Sequence, residues 1–195
     1  MTKPVAILGA GGNAGLVADM CRAVGRPVAA QLDLEGEARL EDADFVAKHD
    51  FVLGLGDPKI RRRLIEWLDA LRCSLASIIH PSAVVSPATD IAAGTVLVAG
   101  AIVNVEAKLG RRIAVYTAAS VDHDCRLAEN TQICPGAHLS GFVTCVDDAF
   151  VSTGVSVAPG CHIGAGAIGG AGAAVVADIP DGATAVAVPA RVLGE

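Results

Sequence analysis

The sequence predicts a chain in two parts, an α/β half-Rossmann unit over residues 1–80 and an all-β parallel β-helix over residues 81–195. Two patterns predict it. Every sixth residue from Val85 to Val175 falls in one unbroken frame: Val85, Ile91, Leu97, Val103, Leu109, Val115, Val121, Leu127, Ile133, Leu139, Cys145, Val151, Val157, Ile163, Gly169 and Val175. All but Cys145 and Gly169 are aliphatic, and the residue two places earlier is mostly small, as at Ala101, Ala107, Ala119 and Ala137. A six-residue period suits neither an α-helix nor alternating strands, and it is the mark of hexapeptide coils in which each hexad is one short strand and one turn. The second pattern is the glycine loop Gly9–Ala14, set between an apolar run and an amphipathic stretch.

Composition agrees. Of 195 residues, 52% are hydrophobic but only 3% aromatic, so Ala, Val, Ile and Leu must fill the interior, as a narrow prism requires. A net charge of −6 argues against nucleic acid or an anionic membrane as partner. No apolar run approaches the roughly 18 residues of a membrane span, and the first residues enter a strand without a signal-peptide pattern, so a cytoplasmic location is expected. The six cysteines lack CxxC spacing and several fall at small positions of the hexads, which predicts reduced, buried thiols.

Taken in order, Val5–Leu8 reads as a doubly covered parallel strand. The loop Gly9, Ala10, Gly11, Gly12, Asn13, Ala14 fits G-x-G-x-x-A, and the helix after it places Leu16, Val17, Met20, Cys21 and Val24 on one side, with Gly25 as its stop. Glycines let the backbone turn sharply so that the helix N-terminus can receive a phosphate; the alternative is a turn that merely packs helix on strand. Val28–Leu32 is a second strand ending at Asp33, where a Rossmann-type unit holds a ribose or base. Residues 34–50 read as loop or weak helix, and residues 51–55 as a third strand closing on Gly56. Asp57 and Pro58 start a second helix as N-cap and first helical residue, with Ile60, Leu64, Trp67, Leu68 and Leu71 inward. Lys59, Arg61, Arg62 and Arg63 are most simply a solvated face, a contact to a nucleotide phosphate being the alternative. Residues 76–79 read as a fourth strand, and His80-Pro81 ends the unit. That is half a dinucleotide fold, which favours a mononucleotide or nucleotide sugar over a redox cofactor. Past Val175, residues 185–191 form a last extended piece.

Three hexads complete one coil, so residues three hexads apart stack on one face. His138 and His162 are four hexads apart, on neighbouring faces, and His123 holds another hexad position, so the histidines do not assemble a metal site. His123 lies two places after a frame residue and projects outward between Asp122 and Asp124, whose carboxylates are suited to fixing the tautomer of a general base. Gly141 lies three hexads on, where its N–H can face an acyl carbonyl beside His123.

These residues carry a resemblance. Residues 5–12, Gly54 to Asp57 with Arg62 beyond, residues 79–83, the run Val121-Asp122-His123-Asp124-Cys125, the hexads and Val188-Pro189-Ala190-Arg191 resemble the bacterial hexapeptide-repeat sugar O- and N-acetyltransferases, NeuD/PglD-like, over nearly the whole chain. The resemblance implies a left-handed parallel β-helix, a homotrimer, and acetyl-CoA as co-substrate in grooves between prisms. It implies transfer to a UDP- or GDP-linked 4-amino sugar for surface glycan synthesis, with His123 as base and Asp124 as its partner. Gly9 to Gly12, Asn13, Asp33, Gly56 and Tyr116 then line the substrate site. Gln132, Gly141, Thr153, Ala171, Gly172, Pro189 and Arg191 line the coenzyme groove, with no metal. Relatives usually carry His where this chain has Asn13, and Asn where it has Tyr116; Gln132 stands where some carry a second histidine. Sugar O-acetylation, a non-catalytic nucleotide-sugar-binding trimer and an NAD-dependent oxidoreductase are the rival readings.

Overall fold

The computed structural model of the chain describes residues 2–33 and 36–193. They fall into two compact units, Met1–Pro81 and Ser82–Glu195. In the first, β1 (Val5–Leu8) lies between β2 (Val28–Leu32) and β3 (Asp50–Leu53), all parallel. Flanked on both edges and covered on both faces, every residue of β1 is fully buried, which is why its run is apolar without alternation. α1 (Gly12–Ala23) buries Ala14, Val17, Ala18, Met20 and Cys21. It stops at Gly25, whose φ of +67° lets the Arg26 N–H reach the Cys21 carbonyl at 2.8 Å. The segment read as loop or weak helix holds a 3-10 turn (Gly36–Glu41) and α2 (Ala43–Lys48), the latter started by Asp42, whose carboxylate accepts from the Asp44 and Phe45 N–H groups.

α3 (Pro58–Ala70) begins as expected, with Asp57 accepting from the Lys59 and Ile60 amides at 2.9 Å. Its faces differ from expectation. Arg61 is not solvated but 2% exposed, and its guanidinium donates to the Leu55 carbonyl at 3.1 Å, while Ile60 and Leu71 sit at the rim, 40% and 37% exposed. A guanidinium can be buried where carbonyls receive its protons, and the loop before α3 supplies one. The expected fourth strand also fails to form in this sheet. Beside β3 the chain makes a single parallel bridge, Phe51 to Leu75, and the two-residue strand Ile78–Ile79 is not part of this sheet.

The second unit is a β-solenoid. Two-residue strands recur every hexad and pair in parallel with the strand three hexads away: Ala114 lies between Val96 and Gln132, Ser120 between Ile102 and His138, Arg126 between Lys108 and Thr144. This gives three flat faces, with the frame residues stacked inside as one continuous core running from Leu97 to Val175 and on to Ala185. His138 and His162 lie on different faces. From Ile91 to Gly169, corners turn on the third residue after the frame position, which takes a positive φ even where it is not glycine: +58° at Glu106, +58° at Asp124, +62° at Phe142. Such a conformation costs about 1 kcal/mol or more outside glycine. The same residues donate to the coil below, as Asp124 does to the Val105 carbonyl at 3.1 Å and Phe142 to that of His123 at 3.0 Å, which offsets the strain.

The last coil is shorter: Ile168 pairs with Thr184 rather than Val186. The piece expected to stay extended instead folds back, Thr184–Val186 pairing antiparallel with Arg191–Val192 across the turn that contains Pro189. Packing of stacked aliphatics carries this unit, so Leu139→Ala, at a residue 1% exposed in the core, is expected to lower unfolding free energy by about 2–5 kcal/mol, read as the shift of a urea transition.

Candidate active site

The corner after Val121 shows how a hexad builds a reactive group. Val121 is buried in the core, Asp122 and His123 leave it, Asp124 turns the chain at positive φ, and Cys125 returns fully buried. His123 is therefore thrown outward, its side chain 45% exposed beside that of Asp124 at 42%. The Asp124 carboxylate lies 2.9 Å from His123 Nδ1, an acceptor that selects Nδ1–H as the donor of this contact and makes Nε2 the lone-pair nitrogen of the neutral imidazole. Asp122, expected as a second carboxylate on the imidazole, instead accepts the backbone N–H of His123 at 2.8 Å and the Asn104 amide at 2.8 Å. Those two donors, the backbone one first, hold its carboxyl below the usual carboxylate value. One coil on, Gly141 lies flat against the ring: a Cβ there would come within 2.5 Å of His123 Cε1 and 2.7 Å of Nε2. The Phe142 ring meets the imidazole edge-on, centroids 5.1 Å apart, and is itself 60% exposed. Beneath the corner the Cys125 thiol donates to the Ser140 carbonyl at 3.2 Å, and burial pushes it up to about 11, so it stays protonated. A base with a fixed tautomer beside an unhindered amide can deprotonate an attacking nucleophile while hydrogen-bonding an oxyanion.

In the first unit the glycines shape two adjoining clefts. One, of about 450 Å³, is lined by Gly9, Ala10, Gly11, Gly12, Asn13, Gly54, Leu55, Gly56 and Asp57. The other, of about 260 Å³, shares Gly9, Ala10, Gly11 and Leu55 and adds Asp33 and Ile60. Gly9, at φ +124°, lies so close to Gly54 that a Cβ would come 2.6 Å from its carbonyl oxygen; at Gly56 a Cβ would come 2.8 Å from the Asn13 amide nitrogen. α1 opens on Gly11 with no side-chain cap, which leaves its first amides available to an anion.

No protein-family model matches the chain. The chain is similar to the GDP-perosamine N-acetyltransferase of Escherichia coli O157:H7, 30% identical over 154 residues, 76% of this chain and 69% of that one. The chain belongs to the hexapeptide-repeat sugar N-acetyltransferases. Solved structures agree. The GDP-perosamine N-acetyltransferase of Caulobacter crescentus, in complex with CoA and GDP-perosamine, matches at 35% identity and a TM-score of 0.93 over 98% of this chain and 97% of its own. The acetyltransferase domain of PglB from Neisseria gonorrhoeae, in complex with acetyl coenzyme A, matches at 33% and 0.88 over 99% and 100%.

Within this acetyltransferase the remaining expected residues form smaller groups. Tyr116 donates its hydroxyl to Gln132 Oε1 at 3.2 Å, and Gln132 is wholly buried, so one residue expected at the substrate and one at the coenzyme are a bonded pair. Thr153 accepts the Gly172 N–H at 2.9 Å, and Ala190, between Pro189 and Arg191, donates to the Ala174 carbonyl at 2.8 Å, which gathers these residues at the last coils. Among the described residues no three His, Cys, Asp or Glu side chains gather as metal ligands, and no helix is long and apolar enough to cross a membrane. Two residues of the His123 corner were not foreseen. Asn104 was within reach of the coil rule, three hexads before Asp122; Phe142 had no signal beyond following Gly141.

Proposed function

We propose that this acyltransferase moves the acetyl group of acetyl-CoA to the amine of a GDP- or UDP-linked 4-amino sugar, with the nucleotide in the glycine clefts of the first unit and the reaction at the His123 corner. The observation that carries it is the pairing of Asp124 with Nδ1 at 2.9 Å while Gly141 lies against the same ring. The neutral amine attacks the thioester carbon and His123 Nε2 takes its proton. The carbonyl oxygen, now an oxyanion, rests on the Gly141 N–H. As the carbon–sulfur bond breaks, the proton passes to the departing sulfur, giving amide and CoA thiol with no covalent enzyme intermediate. The relatives that act on GDP-perosamine support the acceptor class, and those with CoA or acetyl-CoA bound support the donor. A left-handed coil, a homotrimer and a coenzyme groove along Thr153, Ala171, Gly172, Pro189 and Arg191 complete the reading through the same kinship; Gln132, wholly buried against Tyr116, lies behind that surface.

The test is CoA thiol release from acetyl-CoA offered with a panel of GDP- and UDP-linked amino sugars and, separately, sialic acid. Amine acceptors should turn over; turnover on hydroxyl acceptors alone would overturn the amide product. In the same assay Gly56→Val is expected to raise the KM for the nucleotide sugar about tenfold or more and leave that for acetyl-CoA unchanged, because its side chain would displace the Asn13 amide and fill the cleft.

A further inference from the structure

We propose that Asp122, held by Asn104, is a positioning residue that leaves the Gly141 amide as the one open backbone donor beside the His123 ring among the described residues, an inference that rests on the acetyl-transfer reading above. The solenoid's own ladder is the starting point. At this corner the first residue after each frame position donates to the next coil: Asn104 to the Val121 carbonyl, Asp122 to Leu139, Ser140 to Val157. The third donates to the coil before: Asp124 to Val105, Phe142 to His123, Gly160 to Gly141. The second residue's amide is left over, and at successive coils that residue is Val105, His123, Gly141 and Pro159.

An acyl oxygen arriving beside the imidazole therefore meets a column of candidate donors about 4.8 Å apart, one per coil. Only one register is productive, because moving the carbonyl by one coil carries its carbon away from the amine that His123 deprotonates. The chain closes the neighbouring registers. The His123 amide is consumed by Asp122 Oδ1 at 2.8 Å, and the same oxygen takes the Asn104 amide at 2.8 Å, which fixes the carboxylate in place. On the other side Pro159 has no N–H to offer. The Gly141 amide, between them, has no partner among the described residues, and the Val105 amide lies a further coil away, beyond His123. The bond to His123 also anchors the backbone from which the imidazole is presented. The depressed titration of Asp122 agrees with a carboxylate that keeps both bonds through the working pH range.

The test is steady-state kinetics on the full chain for Asp122→Ala, Asp122→Asn, Asn104→Ala and, as reference, His123→Ala, with CoA affinity by calorimetry. Asp122→Ala is expected to lower kcat about 10- to 100-fold with the KM for acetyl-CoA and the CoA affinity within about twofold. Asp122→Asn keeps an Oδ1 acceptor and should restore kcat to within a few-fold of the parent; Asn104→Ala should fall between. If Asp122→Ala keeps its kcat while His123→Ala is inactive, the inference fails and the acetyl-transfer reading stands. If His123→Ala keeps its rate, that reading fails first. A loss in Asp122→Asn equal to that in Asp122→Ala would assign the effect to charge and overturn the acceptor role. Should Asp122→Ala not fold, the Asp122→Asn and Asn104→Ala pair decides by the same ordering.

Discussion

Replacing His123 by alanine is expected to lower kcat about 10²- to 10⁴-fold, with KM for both substrates little changed. The expectation follows from geometry. With Nδ1 committed to Asp124, Nε2 is the basic nitrogen at the corner, and the amine of an acceptor must lose a proton as it becomes an amide. The side chain stands outside the core, so its removal costs the solenoid little, and loss of activity should occur without loss of the folded state. CoA thiol release monitored beside a melting curve separates the two. A variant that keeps the parental rate would remove His123 from the chemistry altogether.

Gly141→Ala is expected to lower kcat about 10²- to 10³-fold while adding only one methyl group. Gly141 does not hold a positive φ, so alanine meets no backbone penalty; the conflict is with the ring alone. A Cβ 2.5 Å from Cε1 cannot be accommodated, so the imidazole must swing away, breaking its bond to Asp124 or covering the amide that would receive the oxyanion. Because both lesions act through one ring, the double variant with His123→Ala should be no slower than His123→Ala alone. Independent, multiplying losses would mean that Gly141 acts elsewhere.

How much of this was legible depends on how rigid each part's rule is. The hexad frame is rigid: a solenoid repeats one geometry, so the position of Val121 fixes that His123 projects outward, that Gly141 stacks on it and that His138 and His162 part company. The same rule held the Asn104–Asp122 contact, but only for a reader who asked what lay below Asp122 as well as above His123. Where rules are statistical the sequence misled. A basic run on a helix predicts a solvated face, yet Arg61 turns inward because a carbonyl awaits it at Leu55. An apolar run predicts a strand, but residues 76–79 do not extend the sheet beside β3. The tail gave no warning of its reversal, since Ala, Val and Pro suit a straight edge and a hairpin alike. The sugar itself is the least legible, because no spacing rule says which of its groups side chains such as Asn13 and Tyr116 would meet.

The fold-back at the last coil has a consequence for solubility. A parallel solenoid ends in bare strand edges, and each of its three faces would invite another molecule to continue the stack into a fibre. Here each face is stopped differently: by an antiparallel strand at Arg191–Val192, by the Ala187–Ala190 turn bonded to Ala174, and by a single bridge from Ile163 to Ile179. The shortened coil sets Thr184 beside Ile168 and puts a two-residue antiparallel strand outermost on that face, so that a further parallel coil meets no strand in its own register there.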